Sequence, residues 1–372
     1  MSAIVTFAPA SVNQPHFQFT LTVTSSYLGS LVRKTLARSW VASPDDLVIS
    51  AKEFDEVSPL LYESGAAGLG WWRIHESELR ETTSGELLHQ AFRFLALQAR
   101  IHETKIQKVS RSLRAAHIEP ILIKGWSIAR LYPQPGLRPY GDIDLLIRAG
   151  QHLPAARIGA SDELRDCRID FHPGAFELAD RSIDDLVSRS QQVQCGDEQV
   201  CVLGNEDHFA LVAIHLLKHG AWRPLWLCDL GLLLDAMSSD FDWELCLGKD
   251  KRRTNWILSA IGLARVLLNA SVNDEEIGAR ANAPGWLVES VLKNWQRPFA
   301  GAHAPQRHHA PIKSYFRRPR GVISDLGRRW PDPILSTISA NGSFGRRPRR
   351  RYQIRNCVQR AARLALPGTD PA

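Results

Sequence analysis

From Pro44 onward, apolar positions recur at helical spacing. Between residues 86 and 117 they fall at Leu87, Leu88, Ala91, Phe94, Leu95, Leu97 and Ile101, then at Ile106, Val109 and Leu113. Residues three and four apart share one face of a helix, so this stretch predicts one or two amphipathic helices, with Ser84 placed as an N-cap. The period then changes. Pro120-Ile121-Leu122-Ile123 is a short β-branched apolar run closed by Lys124-Gly125, which predicts a buried strand. Residues 126–132 predict a short helix, stopped by Pro133 and Pro135. Residues 143–147 and 167–171 predict two more short strands, and 193–203 a hairpin. Asn205 is an N-cap for a helix over 206–218, ended by Gly220, and further helices are expected near 225–237, 254–269 and 286–295. The implied fold class is α+β, a small mixed sheet flanked by helical regions.

The division follows the same pattern. Residues 1–43 form an N-terminal extension, in which Phe17, Phe19, Leu21 and Val23 alternate like a strand. Residues 44–118 are helical, 119–204 form the α/β core, and 205–300 are helical again. In 301–372, Pro, Gly and Arg clusters interrupt the period from Pro305 onward, so a loosely structured tail is expected, with one short helix over 355–366.

Composition excludes a disordered chain, since 44% of the 372 residues are apolar. Charge is uneven. The net is +7, but residues 301–372 hold 15 Lys/Arg against Asp325, Asp332 and Asp370, or +12, which leaves −5 for the first 300. The tail can contact an anionic partner or be a solvated extension, and the acidic remainder argues against a broad RNA footprint there. The six cysteines form no CxxC pair, so zinc-ribbon spacing is absent and free thiols in a reducing cytoplasm are expected. There is no basic and apolar leader pattern and no uncharged apolar run of about 18 residues, so neither a signal peptide nor a membrane span is expected.

The chemistry lies in the carboxylates. Asp142 and Asp144 flank Ile143, and residues i and i+2 of a strand point to one face, ~7 Å apart along the backbone. Like charges that close are unfavourable unless a cation offsets them, and a hard divalent ion does so with oxygen ligands. Asp170 alternates with Ile169 and Phe171 on the third strand; beside the first pair it would complete the carboxylate set of two-metal phosphoryl chemistry. An isolated Asp-x-Asp more often marks a solvated strand end, and here the surrounding residues carry the case.

Those residues are Ile123-Lys124-Gly125, Leu131-Tyr132-Pro133, Arg138-Pro139-Tyr140-Gly141-Asp142-Ile143-Asp144-Leu145-Leu146-Ile147 and Ile169-Asp170-Phe171-His172. With His215-x-x-x-His219 and Trp226-x-x-Asp229, they resemble an uncharacterised nucleotidyltransferase family of the DNA polymerase β-like superfamily, over about residues 45–240. The resemblance implies Asp142, Asp144 and Asp170 as catalytic metal ligands for Mg²⁺ or Mn²⁺. It implies Lys124, Gly125 and Arg138 as phosphate-binding residues for an NTP substrate, ATP among the four. Gly125-Trp126 replaces the usual Gly-Gly or Gly-Ser, and only 25 residues separate Asp144 from Asp170, short for the family.

His172 reads as a residue supporting the metal site or as a polar strand end. His215 and His219, at i and i+4 among Leu211, Ile214 and Leu217, read as a structural or substrate-facing pair more than as zinc ligands. Asp229 reads as their hydrogen-bond partner or as a helix cap. Trp126, Trp222 and Trp226 are candidates for stacking on a base, although aromatics at helical spacing are more often core. The expected function is metal-dependent transfer of an NMP from an NTP to a hydroxyl-bearing acceptor (small molecule, sugar, protein or RNA end), with pyrophosphate released. The alternatives are an inactive nucleotide- or nucleic-acid-binding module, supported by the short Asp144–Asp170 segment, and an adaptor acting through the basic tail.

Overall fold

The computed structural model describes residues 26–174, 176–296, 330–347 and 349–365. The alternating run at 17–23 lies outside them. The first described element is a helix that the sequence pattern does not anticipate, α1 (Tyr27–Leu36), whose Leu31, Val32 and Leu36 are buried. Helices α2 (Ala51–Glu63) and α3 (Ala67–Ile74) follow. Ser50 opens α2 with a capping box: its hydroxyl accepts from the Glu53 N–H, and the Glu53 carboxylate accepts from the Ser50 N–H.

The next periodic segment is one long helix, α4 (Thr83–Ala115). Thr82, not Ser84, is its N-cap, because Thr82 has the extended backbone a cap needs while Ser84 already lies inside the helix. The Ser84 hydroxyl donates to Asp55 instead. The buried face of α4 runs through Leu88, Ala99, Ile106, Val109 and Leu113. Leu87, Phe94, Leu97 and Ile101, which the pattern places with them, are exposed.

Five strands form the sheet: β1 (Ile121–Ile123), β2 (Ile143–Leu146), β3 (Ile169–His172), β4 (Gln191–Cys195) and β5 (Glu198–Val202). Their order is β3-β2-β1-β5-β4. β1 runs antiparallel to β2 and parallel to β5; β2 and β3 are parallel. β4 and β5 form the expected hairpin across Gly196-Asp197, with Gly196 at φ +58. The fold class is therefore α+β with a mixed sheet, as the sequence implies. The 25 residues between Asp144 and Asp170 hold a complete crossover, because the short helix α6 (His152–Gly159) packs on β3 and returns the chain parallel to β2. Between β1 and β2 lies the five-residue helix α5 (Gly125–Ala129), and α7 (Ile183–Ser188) precedes β4.

One face of the sheet, through Leu122, Ile143, Leu145, Val200 and Val202, packs on the C-terminal half of α4 and on Ala155 of α6. The other, through Ile121, Ile123 and Leu146, joins the main core, shared by α1–α3 and the helices after the sheet: α8 (Asn205–Lys218), α9 (Pro224–Asp235), the short α10 (Trp243–Leu247), α11 (Lys251–Leu268), the short α12 (Glu275–Arg280) and α13 (Gly285–Trp295). Part of the basic tail is helical. α14 (Pro333–Ser339) begins on an Asp332 cap with Pro333 in its first turn, and Ile334, Ile338 and Phe344 are buried in the main core. α15 (Arg350–Ala365) starts earlier than the sequence indicates. No described helix is long and apolar enough to cross a membrane.

Candidate active site

The site begins with register. β2 lies between β1 and β3, so all four of its residues are buried, Asp144 among them at 6% exposure. The parallel β2–β3 pairing sets Asp144 directly opposite Asp170, and the antiparallel β1–β2 pairing sets Ile123 opposite Asp144. Lys124, one residue beyond β1, therefore reaches Asp144, with Nζ 3.1 Å from Oδ1. Its backbone sits at φ 56, ψ −144, a region that non-glycine residues rarely adopt, at a cost of about 1–3 kcal/mol. The short β1–α5 turn imposes this geometry.

His172 bridges the two carboxylates, with Nε2 2.9 Å from Asp144 Oδ1 and 3.3 Å from Asp170 Oδ2. The carboxylates differ in environment: the Asp144 side chain is 8% exposed and that of Asp170 63%. Burial by itself would raise the Asp144 carboxyl, but the His172 hydrogen bond and the Lys124 ammonium outweigh it and hold the group below its usual range. One ligand atom each from Asp144, Asp170 and His172 lie within 4.8 Å of one another, a donor set that fits a divalent ion. Asp142 is exposed and stands just before β2, not within it. His172 thus belongs to the cluster itself, and Asp142 contributes from the rim of the same cleft.

The family model described as uncharacterised nucleotidyltransferase matches residues 48–158 and 160–269. The chain belongs to this family. Membership supports nucleotidyl transfer as the general activity, and the matched residues hold all three expected carboxylates. No curated protein and no solved structure matches the chain.

The cleft beside the cluster has a volume of about 400 Å³. Its sheet side is lined by Lys124, Gly125, Asp142, Asp144 and Asp170, and its helical side by α8 and α9 through His215, His219, Arg223, Trp226 and Asp229. His215 and His219 face one another at 4.4 Å between ring centroids, and both touch Trp226. His215 Nδ1 pairs with Glu177, which also takes Lys218. Burial opposes ionisation of Glu177, yet His215 and Lys218 hold its carboxyl well below the usual range. Burial also pushes His219 down to about 4, so that ring is neutral at pH 7.

Asp229 bonds neither histidine. Both its oxygens accept from Arg138, with Nη2 at 2.9 Å, and Oδ1 also accepts from the Tyr132 hydroxyl at 2.9 Å. Arg138 gives its remaining nitrogen to the Pro139 carbonyl. Its guanidinium lies in the cleft wall but is engaged on every nitrogen, and it ties the loop before Asp142 to α9. Of the tryptophans, Trp226 alone lines the cleft; Trp222 packs edge-on against it, and Trp126 is buried in the core under α4.

Sequence reasoning missed Glu177 and Arg223. Nothing near Glu177 marks it, because its partners come from α8. Arg223 carries a faint signal: a cation directly before Pro224 stands at a helix N-terminus, where the helix dipole disfavours positive charge.

His208, buried beneath the cleft on α8, makes a pH prediction. Its Nε2 lies 3.3 Å from the Ser127 hydroxyl, and burial lowers it to about 4, with Arg130 and Arg138 adding to the effect and Asp229 opposing it. A base lowered on folding binds fewer protons than the unfolded chain between the two values. Stability is therefore expected to fall as pH drops from about 6.5 towards 4, a window His219 shares. Urea midpoints measured at pH 7 and pH 5 should differ, and His208→Gln should reduce that difference. An unchanged difference in the variant would show that His208 is already charged in the folded protein.

Proposed function

We propose that this protein moves an NMP from an NTP to a hydroxyl-bearing acceptor and releases pyrophosphate, with Mg²⁺ or Mn²⁺ as cofactor. The observation that carries the reading is the Asp144–Asp170 register across β2 and β3 at an open cleft. Asp144 and Asp170 would hold the ion, with Asp142 at the rim and His172 between the two. When bound, such an ion offsets phosphate charge and eases ionisation of the attacking hydroxyl. The acceptor oxygen forms a bond to the α-phosphorus, the bond from that phosphorus to the bridging oxygen breaks, and pyrophosphate leaves. Asp170, the exposed carboxylate, orients the acceptor hydroxyl and takes its proton.

Lys124 is the phosphate-facing cation on the sheet side. It and His172 share one Asp144 oxygen; with a divalent ion held at that carboxylate, the Lys124 ammonium would be free to turn towards the triphosphate. Gly125, at φ +32, lets the backbone come close to that phosphate chain. Arg138 acts through the loop it fixes. A second reading, nucleotide binding without turnover, draws on the same contact, because the Lys124 ammonium already offsets the Asp144 charge.

One screen tests both. The protein is incubated with each of the four NTPs carrying an α-phosphate label, with Mg²⁺ or Mn²⁺ and cell extract. A labelled adduct together with pyrophosphate is expected. Nucleotide bound but never transferred with either ion would replace the enzyme by the binding module.

A further inference from the structure

The cleft is lined by three basic side chains, Lys124, Arg138 and Arg223. Two of them are paired with cleft carboxylates, Lys124 with Asp144 and Arg138 with Asp229. Among the described residues Arg223 forms no salt bridge. Its Nε donates to the Ser64 carbonyl at 2.8 Å, which fixes the guanidinium and leaves its two terminal nitrogens as donors. The group sits 5.9 Å from the Trp226 ring centroid, also in the cleft wall. Such a placement is unfavourable for a cation on its own. Burial lowers Arg223 to about 10 and Arg138 adds repulsion, which Asp229 and Asp142 offset only in part, and α9 begins at the next residue, so its dipole opposes the charge as well.

We infer that Arg223 is an anion-binding residue that takes the terminal phosphates of the nucleoside triphosphate. This rests on the transfer reading above. The reacting α-phosphate belongs beside Asp144 and Asp170, and the charge of the other two phosphates needs a second source of donors. Arg223 supplies a planar fork, pre-oriented by Ser64, that matches phosphate oxygens.

The test uses the full chain with inorganic tripolyphosphate, each NTP and each nucleoside as titrants, and Mg²⁺ present. Arg223→Gln keeps an N–H donor for the Ser64 carbonyl while removing the charge. It is expected to weaken tripolyphosphate and NTP binding by about 10–100-fold and leave nucleoside binding unchanged. Arg223→Lys should recover part of the loss, and both variants should melt close to the parent. Tripolyphosphate affinity unchanged in both variants would overturn the inference, as would equal losses for nucleoside and NTP, which mark a structural role. Failure of the transfer reading looks different: tripolyphosphate binding stays dependent on Arg223, yet no NTP yields a labelled adduct. Label transfer with an unaltered KM in Arg223→Gln sinks the arginine and keeps the reaction.

Discussion

Asp144→Asn is expected to lower nucleotidyl transfer by on the order of 10³-fold, since in the proposed reaction several kcal/mol of charge stabilisation at the α-phosphate would depend on this carboxylate. Asp144 is the member of the cluster with least freedom. It is buried in an interior strand, opposite Asp170 on one side and Ile123 on the other, and its Oδ1 is shared by Lys124 and His172. Asparagine keeps the shape and an oxygen acceptor but removes the charge that a divalent ion requires. Fold and nucleoside binding should survive, so the loss should fall in kcat and in Mg²⁺ affinity. Asp142→Asn should act in the same direction. The measurement is pyrophosphate release with the NTP that labels the acceptor. Full activity in Asp144→Asn would remove the carboxylate cluster from the chemistry.

Asp229→Ala is expected to destabilise the fold by about 3–5 kcal/mol, the usual result of leaving one member of a buried ion pair uncompensated. The Arg138 side chain is 7% exposed and that of Asp229 1%. Removing the carboxylate leaves the guanidinium without its counter-charge and the Tyr132 hydroxyl without its acceptor. The Arg138→Met/Asp229→Leu double variant should recover most of the stability, because apolar side chains of similar volume can replace a buried pair. It should not recover full activity, since the loop from Arg138 to Asp142 would lose its tie to α9. Denaturant titration of the three proteins separates these effects. A melt of Asp229→Ala indistinguishable from the parent would mean that water reaches the pair and screens it.

Local pattern explains how much of this was legible. The short apolar runs at 121–123, 143–146 and 169–171 are strands, and the 3.6-residue period of 86–115 is a helix, because backbone geometry and burial act on neighbours in sequence. Two-residue alternation likewise placed Asp144 and Asp170 within their strands, whereas Asp142, read with them, stands just before β2. The α1 helix was not. Its ten residues lie in a Ser/Thr-rich stretch, and it depends on burying Leu31, Val32 and Leu36 against α11 and α13, whose residues come more than two hundred positions later.

By itself the sequence determined the element types around the sheet, the family, and the identity of the acidic residues, all properties of short segments. Tertiary structure decided which strand lies beside which, and therefore that Asp144 meets Asp170 and His172 while Asp142 stays at the rim. It also decided which cation faces which anion: Arg138 turns to Asp229, and Arg223 keeps its charge in the cleft wall. Such pairings depend on distances between residues about ninety positions apart for Arg138 and Asp229, and only the placement of α9 beside the loop that carries Arg138 sets them.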